Sequence, residues 1–204
     1  DDVEYSKNDL FNRNEIKTPQ GRMWLTIPII YKNKTPINEI KINNSTKWQS
    51  KHWKSLKSNY SKSPFFADFE YEFEKFYSEE YEYLADLTIN FSLKISEILG
   101  INTQFIKSSN LNPSGNKDER LINLCKILDS NKYLTGIGAV RSYTNKELYK
   151  DHNIDLIIQK FEHPVYFQRW NEFEPQLSIL DILFNMGHIH TSNLLNESKL
   201  IQYE

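Results

Sequence analysis

The sequence predicts an α/β fold built on a parallel βαβαβ sheet, Rossmann-like, with an inserted helical region and added edge strands. Three observations carry this expectation. Apolar, β-rich runs at 23–31, 132–135 and 154–159 are bounded by turn residues. Segments at 45–60, 65–76 and 81–99 repeat their apolar residues at helical spacing. Beyond Gly100, short strands alternate with short helices, the pattern of parallel strands joined by right-handed crossovers.

Taken in order, Asp2 to Ser6 alternates weakly and reads as the tail of a strand whose beginning is absent. Asn12 to Lys17 is a polar cluster that passes through Pro19-Gln20-Gly21 into the strand Met23 to Tyr31, so it reads as a binding loop on a rigid support. Pro28 has no ladder donor and makes that strand an edge or a bulge. Glu39 to Ile42 is the next short strand. Ser45 or Thr46 caps a helix that runs to Tyr60, with Trp48, His52, Leu56 and Tyr60 on one stripe and Lys47, Lys51, Lys54 and Lys57 on the others. Ser63-Pro64 breaks it. Two helices follow, Phe65 to Phe76 and Tyr81 to Leu99, the second closed by Gly100. Then come a strand at Thr103 to Lys107, a helix at Asp118 to Leu128, a strand at Lys132 to Thr135, a helix at Asn145 to Asp151 and a strand at Ile154 to Gln159. A last helix, Leu177 to Met186, ends at Gly187, and the polar tail from Ser192 is expected to fray.

A chain of 204 residues is expected to form one domain, 1–204, with a helical insertion at about 45–100. Its hydrophobic fraction is 39%, but 12 Tyr, 12 Phe and 4 Trp supply a core. With 25 basic against 27 acidic residues the net charge is -2, which gives no overall attraction to nucleic acid or to an anionic membrane. Anion binding must therefore be local. The single cysteine, Cys125, rules out an intrachain disulfide and fits a reducing compartment. No apolar run approaches the ~18 residues of a membrane span.

Two groups are suited to anions. Gly136 and Gly138, followed by Arg141, offer backbone amides and a guanidinium to a phosphate or carboxylate beyond a strand's carboxyl end, although Gly-x-Gly serves equally as a tight strand-to-helix turn. Asn12, Arg13, Asn14 and Lys17 form the second group, joined by Lys51 and His52 if that segment packs on the first helix. Arg13 between two asparagines is its strongest member, because Arg reads flat anions bidentately. Arg120 stands in the first turn of its helix against the dipole, which by itself accounts for Asp118 and Glu119. His52 and His163 are the general-base candidates. His188-x-His190 has no third ligand at recognisable spacing, so no metal site is expected, and the residues identify no cofactor. Cys125 reads as a core thiol, and Ser108 and Ser109 lack a nucleophile elbow. Asp181, among Leu180, Ile182, Leu183 and Phe184, needs a partner, an Arg or a backbone cap.

Several strings, read together and in order, resemble the WbqC-like protein family of bacteria over nearly the whole chain. They include Asn12-Arg13-Asn14-x-Ile16-Lys17 with Gly21 and Trp24-Leu25-Thr26-x-Pro28, then Lys51-His52 and Leu84-Ala85-Asp86-Leu87. Further along are Tyr133-Leu134-Thr135-Gly136-x-Gly138-Ala139, Phe161-x-His163-Pro164-x-Tyr166-x-Gln168 and Leu177-Ser178-x-x-Asp181-x-Leu183-Phe184-Asn185-x-Gly187. The family also carries an N-terminal strand ending in His-Gln-Pro and a Pro-Trp-x-Gly-Tyr-Phe run; neither is in this sequence, so a histidine-bearing part of the expected site is not represented. The resemblance implies a cytoplasmic role in surface polysaccharide (O-antigen) biosynthesis. The leading expectation is a transferase that adds an acyl or aminoacyl group to a nucleotide-activated amino sugar; the alternative is a noncatalytic binding or assembly protein of the same pathway. The expected partner is that sugar or another anionic small molecule, with no nucleic acid and no integral membrane segment; homo-oligomers are left open.

Overall fold

A computed structural model describes residues 1–7, 9–138, 144–170, 172–197 and 199–202. The chain divides into two compact units, one made of Asp1–Thr103 and His163–Leu194, the other of Gln104–Glu162 and Leu195–Glu204. Among the described residues, no helix is long and apolar enough to cross a membrane.

The first unit opens with a hairpin. Strand β1 (Arg13–Thr18) pairs antiparallel with β2 (Gly21–Thr26), Arg13 facing Thr26 and Thr18 facing Gly21 across a two-residue Pro19-Gln20 turn. Gly21 takes φ +101, a conformation glycine adopts without steric cost. The polar cluster expected as a loop is therefore a strand: β2 supplies a complete ladder, and one face of β1 carries Ile16 inward. The strand expected over Met23 to Tyr31 is divided: β2 ends at Thr26, before Pro28, which has no ladder donor, and a short antiparallel pair follows, β3 (Ile29–Ile30) with β4 (Lys41–Ile42).

Three helices come next, α1 (Trp48–Tyr60), α2 (Phe66–Ser78) and α3 (Leu84–Ile98). The stripe on α1 is buried at Trp48, His52, Leu56 and Tyr60, while Lys51 and Lys54 face solvent. Gly100 closes α3 at φ +69, with Ile101 N–H donating to Ser96 and Gly100 N–H to Glu97, the paired bonds of a Schellman end. The last helical stretch, α6 (Ile179–Asn196), comes after two helices of the second unit and is itself two helices that meet at Gly187, whose φ +73 and ψ 171 are non-helical. The expected helix end at Gly187 is thus present, and a second helix continues beyond it. Phe184, fully buried on its first part, is met by the rings of Tyr60, Phe66 and Phe73 at centroid distances of 5.4, 5.0 and 5.6 Å. Truncating such a residue to Ala typically costs about 3–5 kcal/mol.

In the second unit β5 (Lys132–Gly136) runs parallel to β6 (Asp155–Lys160), and β6 pairs antiparallel with β7 (Lys199–Gln202), giving the order β5-β6-β7. Helices α4 (Lys117–Ile127) and α5 (Lys146–Asp151) pack Ile122, Cys125 and Tyr149 with Ile154 and Leu156. The α/β class is correct, but the sheet is mixed and short. Among the described residues only β5 and β6 are parallel, so the full parallel βαβαβ core is not what forms. Thr103 to Lys107 is irregular: Phe105 and Ile106 are exposed, and β-propensity without a neighbouring strand or a burying face forms no ladder. The tail expected to fray contributes β7, held by backbone pairing that polarity patterns do not report.

Gly187 combines a left-handed φ with a close approach, since an added Cβ would lie 2.8 Å from the Phe65 ring, whereas Gly100 has open space. Gly100→Ala should therefore lower stability by about 1 kcal/mol and Gly187→Ala by more than about 2 kcal/mol in denaturant titrations, because only the second must also move a ring.

Candidate functional site

The first unit contains two polar constellations. The deeper one is a closed hydrogen-bonded ring. The backbone N–H of Lys17 donates to the Tyr60 hydroxyl (2.8 Å), which donates to Asp181 Oδ1 (2.7 Å). Asp181 Oδ2 accepts from the Tyr166 hydroxyl (2.8 Å), which accepts from Gln168 Nε2 (3.1 Å). Gln168 Oε1 accepts from Lys17 Nζ (3.0 Å), which closes the circuit; Nζ also donates to the Glu172 carbonyl. Lys17 and Asp181 are 2% and 0% exposed. Burial pushes the Asp181 carboxyl above the usual carboxylate range, against the two phenol donors and the Lys17 cation, which pull it back. Burial beside that carboxylate likewise raises both tyrosines.

Asp181 thus finds its partners in two phenols rather than in the Arg or backbone cap expected. Lys17, expected on an anion-binding face, is committed to this ring. Tyr60, Tyr166 and Gln168 were not singled out as polar partners from sequence. The available signal was a lone carboxylate in an apolar helix, which demands donors but does not say where in the chain they lie.

The second constellation is a cavity of about 300 Å³. Arg13, Asn14, Ile16, Leu25 and Ile27 form the hairpin side of its wall, and Trp48 and His52 the α1 side. Phe76 and Tyr77 of α2, Leu87, Thr88, Phe91 and Ser92 of α3, Ser178 and Leu180, and Leu10, Phe11 and Asn12 ahead of β1 complete it. The anticipated packing of the Arg13 segment on the first helix is therefore present, bringing Asn12, Arg13, Asn14 and His52 to one space. Lys51 does not line it.

The Arg13 guanidinium sits 4.3 Å from the Trp24 ring centroid, a cation–π contact. His52 Nε2 lies 3.1 Å from the Thr26 carbonyl, which can only accept, so Nε2 carries the hydrogen and Nδ1 is the basic nitrogen. Burial lowers the pKa of this imidazole, with the carbonyl contact opposing more weakly. The ring is therefore neutral near pH 7. Asn12 has both ends of its amide occupied, donating to the Ile27 carbonyl (2.8 Å) and accepting from the Tyr5 hydroxyl (3.0 Å). His163 does not line the cavity; its Nδ1 meets the Pro164 carbonyl at 3.0 Å and its ring stacks beside Tyr166. Tyr77, Thr88, Ser92 and Ser178 were missed from sequence, their only signal being polar atoms among apolar helical spacings.

In the second unit Gly136 ends β5 and Gly138 stands two residues on, in a helical conformation; an added Cβ would meet nothing at either position. Arg141 lies outside the described residues. Arg120 donates from Nη1 to the Pro113 carbonyl at 2.8 Å. Asp118 does more than answer the helix dipole: it is buried and accepts from the Asn145 N–H (2.7 Å) and the Tyr149 hydroxyl (3.1 Å), tying α4 to α5.

Comparison with known proteins returns the WbqC-like protein family, whose sequence model matches residues 1–192. A relative from Mycobacterium tuberculosis, uncharacterized protein Rv1507c, is 36% identical over 191 residues, covering 92% of this chain and 82% of that protein. No solved structure matches the chain.

The ring and the surface charges should respond very differently to mutation. Asp181→Ala leaves two buried phenols without acceptors and should cost about 3–5 kcal/mol. Glu174→Ala removes an exposed partner of Arg22 (2.9 Å) and should cost under about 1 kcal/mol, both read by denaturant titration. The pH dependence follows from His52. Its folded pKa lies below the ordinary 6.5, so on acidification the unfolded chain takes up the proton first. Its contribution is complete above pH 6.5 and is lost as pH falls below that value towards the folded pKa. Relative to wild type, His52→Gln should flatten the stability profile in that window in thermal melts.

Proposed function

This chain belongs to the WbqC-like protein family, and on that footing we propose that it is an enzyme of bacterial surface polysaccharide biosynthesis, a transferase that modifies a nucleotide-activated amino sugar by acyl or aminoacyl transfer. The observation that supports this is that Arg13, Asn14 and His52, brought from a strand and a helix far apart in sequence, line one cavity. The roles divide by chemistry. Arg13, in cation–π contact with Trp24, binds an oxyanion or carboxylate, and the Asn14 amide adds a hydrogen bond at the exposed rim. His52 is neutral, with its Nε2 hydrogen held by Thr26. Its Nδ1 takes the proton that the sugar amine sheds as the new nitrogen–carbon bond forms and the acyl group's bond to its carrier breaks.

Incubating the protein with nucleotide-activated amino sugars and activated acyl donors, and reading product masses, tests the proposal. His52→Gln should slow transfer about 100-fold with little change in the substrate concentration required. Arg13→Ala should raise that concentration roughly tenfold or more. Transfer at the wild-type rate in both variants would remove the site assignment, and binding without any transfer would mark a binding or assembly protein instead.

A further inference from the structure

Among the described residues the four buried tyrosines all donate to carboxylates: Tyr60 and Tyr166 to Asp181, Tyr149 to Asp118 and Tyr81 to Glu79. Tyr77 of α2 departs from this rule. Its ring is packed by those of Trp48, His52, Trp53 and Phe76, at centroid distances of 6.4, 6.1, 6.0 and 5.6 Å. Its hydroxyl has no hydrogen-bond partner among the described residues, and the oxygen is not closed off from water-sized space. Burial alone raises its pKa, so near pH 7 it is a donor without an acceptor. Such a hydroxyl costs stability unless another group takes the bond. Tyr77 also borders a more open depression with Thr46, Gln49 and Glu74, but three of the four rings around it, Trp48, His52 and Phe76, line the cavity. The other hydroxyls of the cavity wall are engaged: Thr88 donates to the Leu84 carbonyl, Ser92 to the Thr88 carbonyl, and Ser178 Oγ accepts from the Leu180 N–H. On the α1 and α2 side Trp48 Nε1 donates to Asn44, which leaves His52 Nδ1 as an unused acceptor and the Tyr77 O–H as an unused donor.

We infer that Tyr77 is a further catalytic residue of this cavity, its hydroxyl donating to the oxygen of the acyl group under attack while His52 Nδ1 receives the proton of the amine. The inference rests on the transferase reading and supplies the oxyanion donor that acyl transfer calls for. As the amine nitrogen bonds to the acyl carbon, the π pair of the C=O moves onto oxygen, and the Tyr77 O–H stabilises that charge without giving up its proton. The proton shed by nitrogen goes to His52. When the C=O re-forms, the bond to the carrier breaks, and the carrier leaves with the electron pair and takes that proton from His52. The same pair recognises the product class, since an N-acylated amino sugar carries a carbonyl oxygen for Tyr77 and an N–H for His52.

Tyr77→Phe tests this, because it keeps the aromatic ring and removes only the oxygen. No bond is lost in the free protein, so the variant should melt at or above the wild-type temperature, whereas Tyr60→Phe, which opens the circuit through Asp181, should melt earlier. With nucleotide-activated amino sugars and activated acyl donors, Tyr77→Phe should lower kcat about 100-fold while KM changes by less than about threefold. A second measurement needs neither turnover nor a variant's stability. In the full wild-type chain carrying ¹³C at tyrosine Cζ, saturation with N-acetylglucosamine, a neutral N-acyl amino sugar, should shift the Tyr77 signal and leave those of Tyr60 and Tyr166 in place. Tyr77→Phe, which identifies that signal by its loss, should weaken this binding roughly five- to tenfold. Transfer by Tyr77→Phe at the wild-type rate, an early melt of that variant, or a Tyr77 signal unmoved at saturation would each overturn the inference. The two proposals fail separately. Transfer that ignores Tyr77→Phe leaves the transferase and removes Tyr77 from it; N-acetylglucosamine bound through Tyr77 without any transfer keeps the binding pair and removes the reaction; neither binding nor transfer removes both.

Discussion

The ring from Lys17 through Tyr60, Asp181, Tyr166 and Gln168 back to Lys17 is the constraint on which the first unit depends. Each member is both held and holding, so no one group can leave without stranding a buried donor or acceptor. A lone buried lysine or aspartate would be expelled or neutralised; in a closed circuit both persist. The ring joins a strand, the end of a helix, an extended segment and the start of another helix, positions that lie up to 164 residues apart between Lys17 and Asp181.

That geometry also sets the cavity. Four residues of β1 separate Lys17 from Arg13, roughly 13 Å along a strand. Eight residues of α1 separate Tyr60 from His52, about 12 Å along a helix. The two elements thus run matched distances from a shared fixed point and arrive at one space carrying the guanidinium and the imidazole. The Thr26 carbonyl on His52 ties the far end of the same span back to the hairpin. The apolar packing of Phe184 against Tyr60 and the close seat of Gly187 on Phe65 hold α6 where Asp181 meets both phenols. Removing polar ring members should therefore disturb the cavity as well as the core.

The strings that carry the family resemblance take on physical meaning here. Lys17, Tyr166, Gln168 and Asp181 are members of the ring, Phe184 packs on its Tyr60, Leu183 is buried beside it in sequence and Gly187 seats on Phe65. Arg13 and Asn14 line the cavity. Much of what looks like a binding motif in the sequence is thus the framework that aims a smaller number of binding groups.

Local physics made part of this legible in the sequence. The α1 stripe, the Gly100 helix end and the strands at 132–136 and 155–160 follow from periodicity and backbone preferences that operate over a few residues. Arg13, Asn14 and His52 could be named as candidates because their chemistry is intrinsic to their side chains. The tertiary structure decided the rest. It turned a polar loop into a strand by giving it a partner, left Thr103 to Lys107 without one, and built a strand from a polar tail. It also separated Lys17 from Arg13, assigning one to the buried ring and the other to the cavity wall. Residue type sets what a group is able to do, but desolvation and hydrogen-bond closure depend on which distant segments surround it, and no local pattern encodes that.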